Sequence, residues 1–393
     1  MRDAVIVDAV RTPVAKGKPG GAYHAIHPVD LHAHVLKALV ERNPGLDPAE
    51  IDDVIGGTVG QVGEQSTNAT RMAVLAAGFP ESVPGVTVDR QCGSSQQALS
   101  FAAQGLISGA YDLVVASGAE SMSRVPIGSS AYVDGTRALV GGPAVAERYG
   151  GLIPQGVSAE LIARKWGFTR AQLDDFAATS HQRAAAAWRA GHFDSQITRP
   201  TSLAVDETIR PGTTVETLAG LRTAFADPRW EQRFGAIDWK VTAGNSSPVN
   251  DGAAALLLTT SATAARHGWR PRARVHTATA VGDDPVMMLT GIIPATAKVL
   301  ARAGLTIDDI DAYEVNEAFT SVVLAWQAET CADPGKVNVD GGATAIGHPL
   351  GASGARLATT LLNVLERTGG RYGLQTMCEA GGTANATIIE RLP

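Results

Sequence analysis

Cysteine is scarce in this chain. Cys92, Cys331 and Cys378 are too few and too scattered for a disulfide framework, and no Cys-x-x-Cys pair points to zinc. Such usage fits a reducing compartment. Long apolar runs are missing too: nothing approaches the roughly 18 residues of a membrane span. The start, Met1 to Pro13, reads as a strand and turn, not a signal peptide. The last five residues, Ile389 to Pro393, hold no targeting tripeptide. A soluble, cytoplasmic protein without membrane attachment is expected. Basic charge is not in excess: the formal net charge is −6, which argues against nucleic acid as a partner. Charges are not gathered into tails, so disorder is not expected. Aromatics are only 5% of residues while glycine reaches 43, a balance suited to helices packed closely on sheets and to tight turns. At 393 residues and 45% hydrophobic, the chain buries a large core shared by two or three packed units. Nucleotide loops are absent as well. Gly342 to Gly347 has P-loop-like glycine spacing, but His348-Pro349 stands where Lys-Ser/Thr is required.

What is present is a repeat. Gly45 to Val54 and Gly304 to Tyr313 each read as a helix end, a short acidic link and a strand start. About forty residues after each comes a strand ending in Val-Asp: Thr87-Val88-Asp89 and Asn338-Val339-Asp340. Each leads through a Gly/Ser-rich turn into a helix, then into an apolar strand, Asp112 to Ser117 and Tyr372 to Cys378. The first strand, Ala4 to Val10, has its counterpart in Arg272 to Thr279. Two copies of one alternating strand–helix unit predict α/β layers. An approximate two-fold would bring the Cys92 turn next to the Gly341–Gly354 turn.

Residues 121–245 break the pattern. They are rich in loops and hold a helix predicted over Arg170 to Ala190, started by Thr169 with Gln172 in capping-box spacing. With 14 basic and 12 acidic residues, this stretch is slightly positive inside an acidic chain. That balance suits an anionic ligand, and equally a solvated surface.

Cys92 follows a short β-like run, Gly85 to Arg90, and precedes a helical pattern. Unpaired N–H groups and the macrodipole at a helix start favour the thiolate, the reactive form of cysteine. A small buried residue at a packed turn would look the same. Three further segments lie at strand ends or the turns after them: Asn316-Glu317-Ala318-Phe319, Gly341 to Gly351 and Met377 to Gly382. Ligands of open α/β sheets bind at such ends.

The blocks N-E-A-F, G-G-x-x-x-x-G-H-P-x-G and C-x-x-G-G, in this order and spacing, resemble the thiolase family. Gly118 to Ser123 and Ala243 to Gly252 resemble two further blocks, and the likeness covers essentially the whole chain. The Arg90 to Gln97 block is most similar to degradative thiolases of actinobacterial lipid and steroid catabolism. The resemblance implies a five-layered α-β-α-β-α fold. One half would span 1–120 plus 246–270 and the other 271–393, with 121–245 as a loop domain covering the site.

It also implies roles. Cys92 would be the acylated nucleophile, His348 its base, and Cys378 the acid/base for the substrate α-carbon. Asn316 would hold a water that, with His348, stabilises an enolate oxygen. Backbone N–H groups of Cys92 and Ala380 would form a second oxyanion hole, although the family usually has glycine at 380. Ser247 matches a position touching the pantetheine arm of coenzyme A, whereas the pattern departs at Pro154-Gln155. Coenzyme A would be substrate and product, with no metal or bound cofactor, and the assembly a homodimer or homotetramer. Cleavage of a β-ketoacyl-CoA to acetyl-CoA and a shortened acyl-CoA is the expected reaction. Alternatives are acetoacetyl-CoA synthesis by the same residues and a non-catalytic acyl-CoA-binding scaffold. A ketoacyl synthase would need a second histidine in place of Asn316. Cys331 is expected to be a structural or loop residue.

Overall fold

Strands buried on both faces read as unbroken apolar runs, and two stretches here are of that kind. They are residues 113–116 and 253–258, inside two strands, Leu113–Ser121 and Asn250–Thr259, whose residues are all buried. The computed structural model describes residues 2–393. The chain opens with β1 (Val5–Arg11), β2 (Ala15–Lys16), α1 (Pro28–Arg42), β3 (Asp53–Gly57), α2 (Ala69–Ala76), β4 (Gly85–Val88), α3 (Ser94–Ser108) and β5 (Leu113–Ser121). An excursion follows through β6 (Tyr132–Val133), β7 (Thr136–Arg137), α4 (Gly142–Tyr149), α5 (Gln155–Lys165), α6 (Arg170–Arg189), α7 (Val215–Ala219) and α8 (Pro228–Phe234). The chain returns with β8 (Asn250–Thr259), α9 (Ser261–His267), β9 (Ala273–Gly282), α10 (Ile292–Ala303), β10 (Ala312–Val315) and α11 (Thr320–Thr330). It ends with α12 (Ala343–Ile346), α13 (Leu350–Thr368), β11 (Tyr372–Glu379) and β12 (Thr383–Arg391). Among the described residues no helix is long and apolar enough to cross a membrane.

The repeat in the sequence is a repeat of sheet order. The first half runs β4-β3-β5-β8-β1, with β3 parallel to β4 and β5, and β8 antiparallel to β5 and β1. The second runs β10-β11-β12-β9, with β10 parallel to β11, and β12 antiparallel to β11 and β9. The halves differ where β4 needs a partner. The sequence predicts a strand ending at Asp340, but only one parallel bridge forms, Val337 to Tyr313. Asn338 is the reason. Its φ is +46°, which ends any strand, and its side chain replaces the ladder. The amide accepts from Val315 N–H and donates to Val315 C=O, both at 2.9 Å.

Alternate strand residues face different helix layers. Val114 and Leu256 pack with Leu99 and Leu106 of α3 and Leu361 and Leu362 of α13 in the middle of the molecule. Their neighbours Val115 and Leu257 pack outward on Leu31, Leu36 and Leu39 of α1. On the far side, Leu374 and Ile388 pack on Val299 of α10 and Trp326 of α11. The result is five layers, α-β-α-β-α, with α3 and α13 at the centre. The halves also meet edge to edge, β1 to β9 through Val5–Arg274 and Ile6–Ala273, which makes one nine-stranded path, with β2 paired to β8 as the tenth strand of the sheet.

The central helices touch backbone to backbone. A Cβ on Gly354 would lie 2.2 Å from Gln96 N, and one on Gly351 would lie 2.5 Å from Gly57 O. Ala355 N–H donates to Ser95 Oγ at 2.9 Å across the same contact. Glu120, at the end of β5, joins the start of α13 to the first half. Its buried carboxylate accepts from the N–H groups of Val59, Gly60 and Gly351 and from Gln65 Nε2, at 2.8–3.0 Å. So the first turns of α3 and α13 are fixed side by side, which places the residues just before each helix together.

Candidate active site

Cys92 stands two residues before α3, on a turn that the backbone does not favour. Gln91 has φ +48°, a left-handed conformation that costs a non-glycine residue about 1 kcal/mol or more. Local bonds hold it there. Gln91 N–H donates to Asp89 Oδ1 at 2.6 Å, and Ser94 Oγ donates to Gln91 C=O at 2.6 Å while accepting from Arg90 N–H at 2.9 Å. The thiol is buried against Leu357 and Met377. The helix start was expected to favour the thiolate. Instead burial, then the nearby Glu379, push the Cys92 thiol up to about 12, and its own backbone N–H and, next, the Gln155 side chain offset only part of this. Loss of hydration outweighs the dipole of one helix end.

His348 ends the loop before α13 and is buried. Its ring carries a defined tautomer. Ser353 Oγ spends its only hydrogen on the Pro349 C=O at 2.8 Å, so at the 2.6 Å contact with His348 Nδ1 it must accept. Nδ1 therefore bears the proton, and Nε2 presents a lone pair. Asn316 Nδ2 lies 3.5 Å from that Nε2. The His348 N–H donates to Asn250 Oδ1 at 2.9 Å, which fixes the loop. Burial, and next the Arg356 charge, lower the imidazole to about 3, so it is neutral across the physiological range.

Asn316 follows β10, and its N–H donates to Thr376 C=O at 3.1 Å on β11, two residues before Cys378. Its Oδ1 is buried without a partner, an acceptor left open at the site. Cys378 is fully buried. Burial, then the Cys92 sulfur and Glu379, raise its thiol well above the ordinary value. Cys92 packs against Met377, and Gly93 against the Glu379 carboxyl, so the Cys92 turn lies against both chain neighbours of Cys378. His348 and Asn316 meet through Nε2 and Nδ2, and the His348 loop leads into α13, whose Leu357 joins the Cys92 cluster.

The turn after Cys378 answers the question posed by Ala380. The left-handed positions are Gly381 (φ +83°) and Gly382 (φ +79°), and Ala380 is not among the positive-φ residues, so alanine fits without strain. Ser247 lies further out, its N–H donating to Ala318 C=O at 3.0 Å. Its neighbours Ser246 and Pro248 line a small cavity of about 30 Å³ with His181, Arg210 and Thr344. Among the described residues no cluster of three or more His, Cys, Asp or Glu is placed to hold a metal. Cys331 is exposed, with φ +57°, at the end of α11.

Sequence reasoning missed three groups. Ser353 sits five residues after His348, on the first turn of α13, and only its proton accounting reveals its role. Gln155 begins α5, at the point where the family pattern departs, and reaches Cys92 from the excursion. Glu317, inside N-E-A-F, accepts from Ser180 Oγ at 2.7 Å, Asn338 Nδ2 at 2.8 Å and Thr344 N–H at 3.0 Å, and so braces the Gly341-Gly342 turn.

Comparison with known proteins agrees with this geometry. The thiolase N-terminal domain family matches residues 4–262, and the thiolase C-terminal domain family matches residues 269–391. The chain is 51% identical over 402 residues to the steroid 3-ketoacyl-CoA thiolase FadA6 of Mycobacterium tuberculosis, covering 100% of this chain and 95% of that one. It is 44% identical over 408 residues to the 3-ketoacyl-CoA thiolase of Erwinia tasmaniensis, covering 100% of both. A crystal structure of the Bacillus anthracis acetyl-CoA acetyltransferase superimposes with TM-score 0.87 and 36% identity, covering 100% of this chain and 99% of that one.

Proposed function

The chain belongs to the thiolase family, and from that premise we propose that it cleaves β-ketoacyl-CoA to acetyl-CoA and a shortened acyl-CoA. It is an acyltransferase, with coenzyme A as co-substrate. In the first step His348 Nε2 takes the Cys92 proton while the sulfur attacks the β-keto carbonyl. The Cα–Cβ bond breaks, and the acetyl-CoA enolate leaves and takes a proton from Cys378. Asn316, through a water, and His348 stabilise the enolate oxygen. The imidazolium proton then passes to the Cys378 thiolate, which restores both groups. In the second step His348 takes the proton of a new coenzyme A thiol, whose sulfur attacks the Cys92 thioester; the acyl-CoA forms as the C–S bond to Cys92 breaks, and the Cys92 thiolate recovers the proton from His348. Backbone N–H groups of Cys92 and Ala380 hold that oxyanion. Ser247 lines the path of the pantetheine arm. Because both resting groups are neutral, proton transfer from Cys92 is coupled to attack rather than completed beforehand. The mechanism calls on no metal.

The observation that carries this reading is the packing of the Cys92 turn, from one half of the molecule, against the residues on either side of Cys378 from the other, with a histidine whose Nε2 is the unprotonated ring nitrogen. A degradative role, on a lipid- or steroid-derived acyl chain, is supported by the names of the FadA6 and Erwinia relatives. Offering the enzyme acetoacetyl-CoA and a longer or cyclic β-ketoacyl-CoA, each with coenzyme A, tests it. Cleavage of the larger substrate is expected; activity confined to acetoacetyl-CoA would favour the biosynthetic alternative.

The active form is a homodimer or a larger homo-oligomer. Supporting this, β4 is the outer strand of the sheet, and Val86 on it is exposed. Met72 and Leu75 of α2 and Phe101 and Ile107 of α3 are exposed as well. An open strand edge flanked by apolar side chains invites pairing with a second copy.

A further inference from the structure

We propose that Glu379 is a positioning residue of this active site, working as a neutral carboxylic acid wedged between the Cys92–Gly93 turn and the end of β11. The inference rests on the assignment of Cys92 and Cys378 as the reacting thiols, and the mechanism above gives Glu379 no part.

Glu379 follows Cys378 and is completely buried. Its carboxyl lies against Gly93: a Cβ there would stand 2.0 Å from Glu379 Oε1. Only glycine fits beside it, so the carboxyl and the turn carrying Cys92 are in direct packing contact. One oxygen, Oε2, accepts from Thr383 Oγ1 across the β11–β12 pair at 2.7 Å. The other, Oε1, has no partner. A buried carboxylate with a single hydrogen bond and no ion pair is costly, whereas the protonated acid is not.

The titratable and charged groups facing it do not supply that ion pair. Arg90 and Asp89, both on the turn before α3, act on it with opposite sign. Arg90 makes no salt bridge to it, and Arg90 Nε is itself buried without a partner. Thr383 and Asn385 on β12 are neutral, and Cys378 on its own strand and Cys92 on the turn are thiols. Burial is accordingly the largest influence and lifts the Glu379 carboxyl to about 8. Ionised, Glu379 would oppose negative charge on both sulfurs, since it raises Cys92 and Cys378 alike. Neutral, it leaves the two thiols free to pass through their anionic states.

The test is the rate of Cys92 alkylation by iodoacetamide against pH, in the full-length protein, for wild type, Glu379→Gln and Glu379→Leu. Peptide mass mapping identifies the modified cysteine. Glu379→Gln mimics the protonated acid. Wild type and Glu379→Gln are expected to react equally at pH 6.5, where both are neutral. Above pH 8.5 the variant should react about tenfold faster, with its thiol midpoint lowered by roughly one unit. Glu379→Leu, if its circular dichroism is that of wild type, should diverge in the same direction. Parallel profiles for all three proteins, or a variant already slowed at pH 6.5, would overturn the role of Glu379 while leaving Cys92 as the nucleophile. Alkylation that never falls on Cys92 would instead count against the underlying assignment.

Discussion

At the scale of single residues, the site depends on a proton's location. Ser353 can accept from His348 only because its own hydrogen is committed to Pro349 C=O. Ser353→Ala removes the acceptor and lets the imidazole proton move to Nε2, where it blocks proton transfer. The expected outcome is a fall in kcat of about a hundredfold with KM for coenzyme A nearly unchanged. Steady-state kinetics checks this, and a wild-type kcat would mean that the tautomer is set elsewhere. A second expectation concerns pH. The folded value of His348 lies near 3, below the ordinary 6.5, so the imidazole stays neutral as pH falls through 6.5. Acetylation of Cys92 by acetyl-CoA, followed by stopped-flow between pH 5 and 7.5, should show no inflection near 6.5. Such an inflection would place a bulk-like histidine at the base position. Of these residues, Cys92, His348, Cys378 and Asn316 were legible because they stand in motifs at strand ends. Ser353 and Glu379 were not, because their importance lies in which partners they have or lack across the fold.

At the scale of elements, the central pair α3 and α13 decides the geometry. Their approach requires a bare Cα at Gly354, 2.2 Å from Gln96 N for any added Cβ. Since the obstacle is backbone, Gly354→Ala must push the helices apart. A loss of about 1–3 kcal/mol is expected, read from urea denaturation with an unchanged m-value. Activity should fall with it, because Cys92 and His348 precede these two helices. A variant as stable as wild type would show that the contact yields easily. The elements themselves were largely readable: apolar runs gave the strands, and Thr169 with Gln172 marked the start of α6, which does carry the capping box. The strand expected at Asn338 to Asp340 was misread, because an asparagine side chain can imitate a strand's hydrogen bonds and nothing in its neighbours announces that. The helix-start argument for Cys92 failed for a related reason. Sequence shows the dipole, but not how deeply the sulfur is buried.

At the scale of the whole molecule, an active site emerges because two copies of one unit face each other. Cys92, the proposed nucleophile, comes from the first copy; His348, the proposed base, Cys378 and Asn316 come from the second. The repeat is visible in the order of strand, link and turn, and an approximate two-fold between the copies is enough to bring the two turns together. The excursion through α4–α8 has no counterpart in the second copy, and it supplies Gln155 beside Cys92. The same scale governs assembly. Phe101→Asp sets a charge in the exposed patch next to β4 and should shift the protein to monomer in sedimentation velocity, with the far-ultraviolet circular dichroism retained. An unchanged sedimentation coefficient would remove this face from the interface.

The central claim is that Cys92 accepts the acyl group in a pocket completed by Cys378. Mass spectrometry of the protein mixed with acetyl-CoA tests it most directly, with wild type beside Cys92→Ser and Cys378→Ser. One acetyl group on the Cys92 peptide is expected in wild type and in Cys378→Ser, and no acetyl group on the Cys92→Ser protein, with cleavage of β-ketoacyl-CoA lost in both variants. An acetyl group that survives Cys92→Ser, or its absence from wild type, would contradict the account.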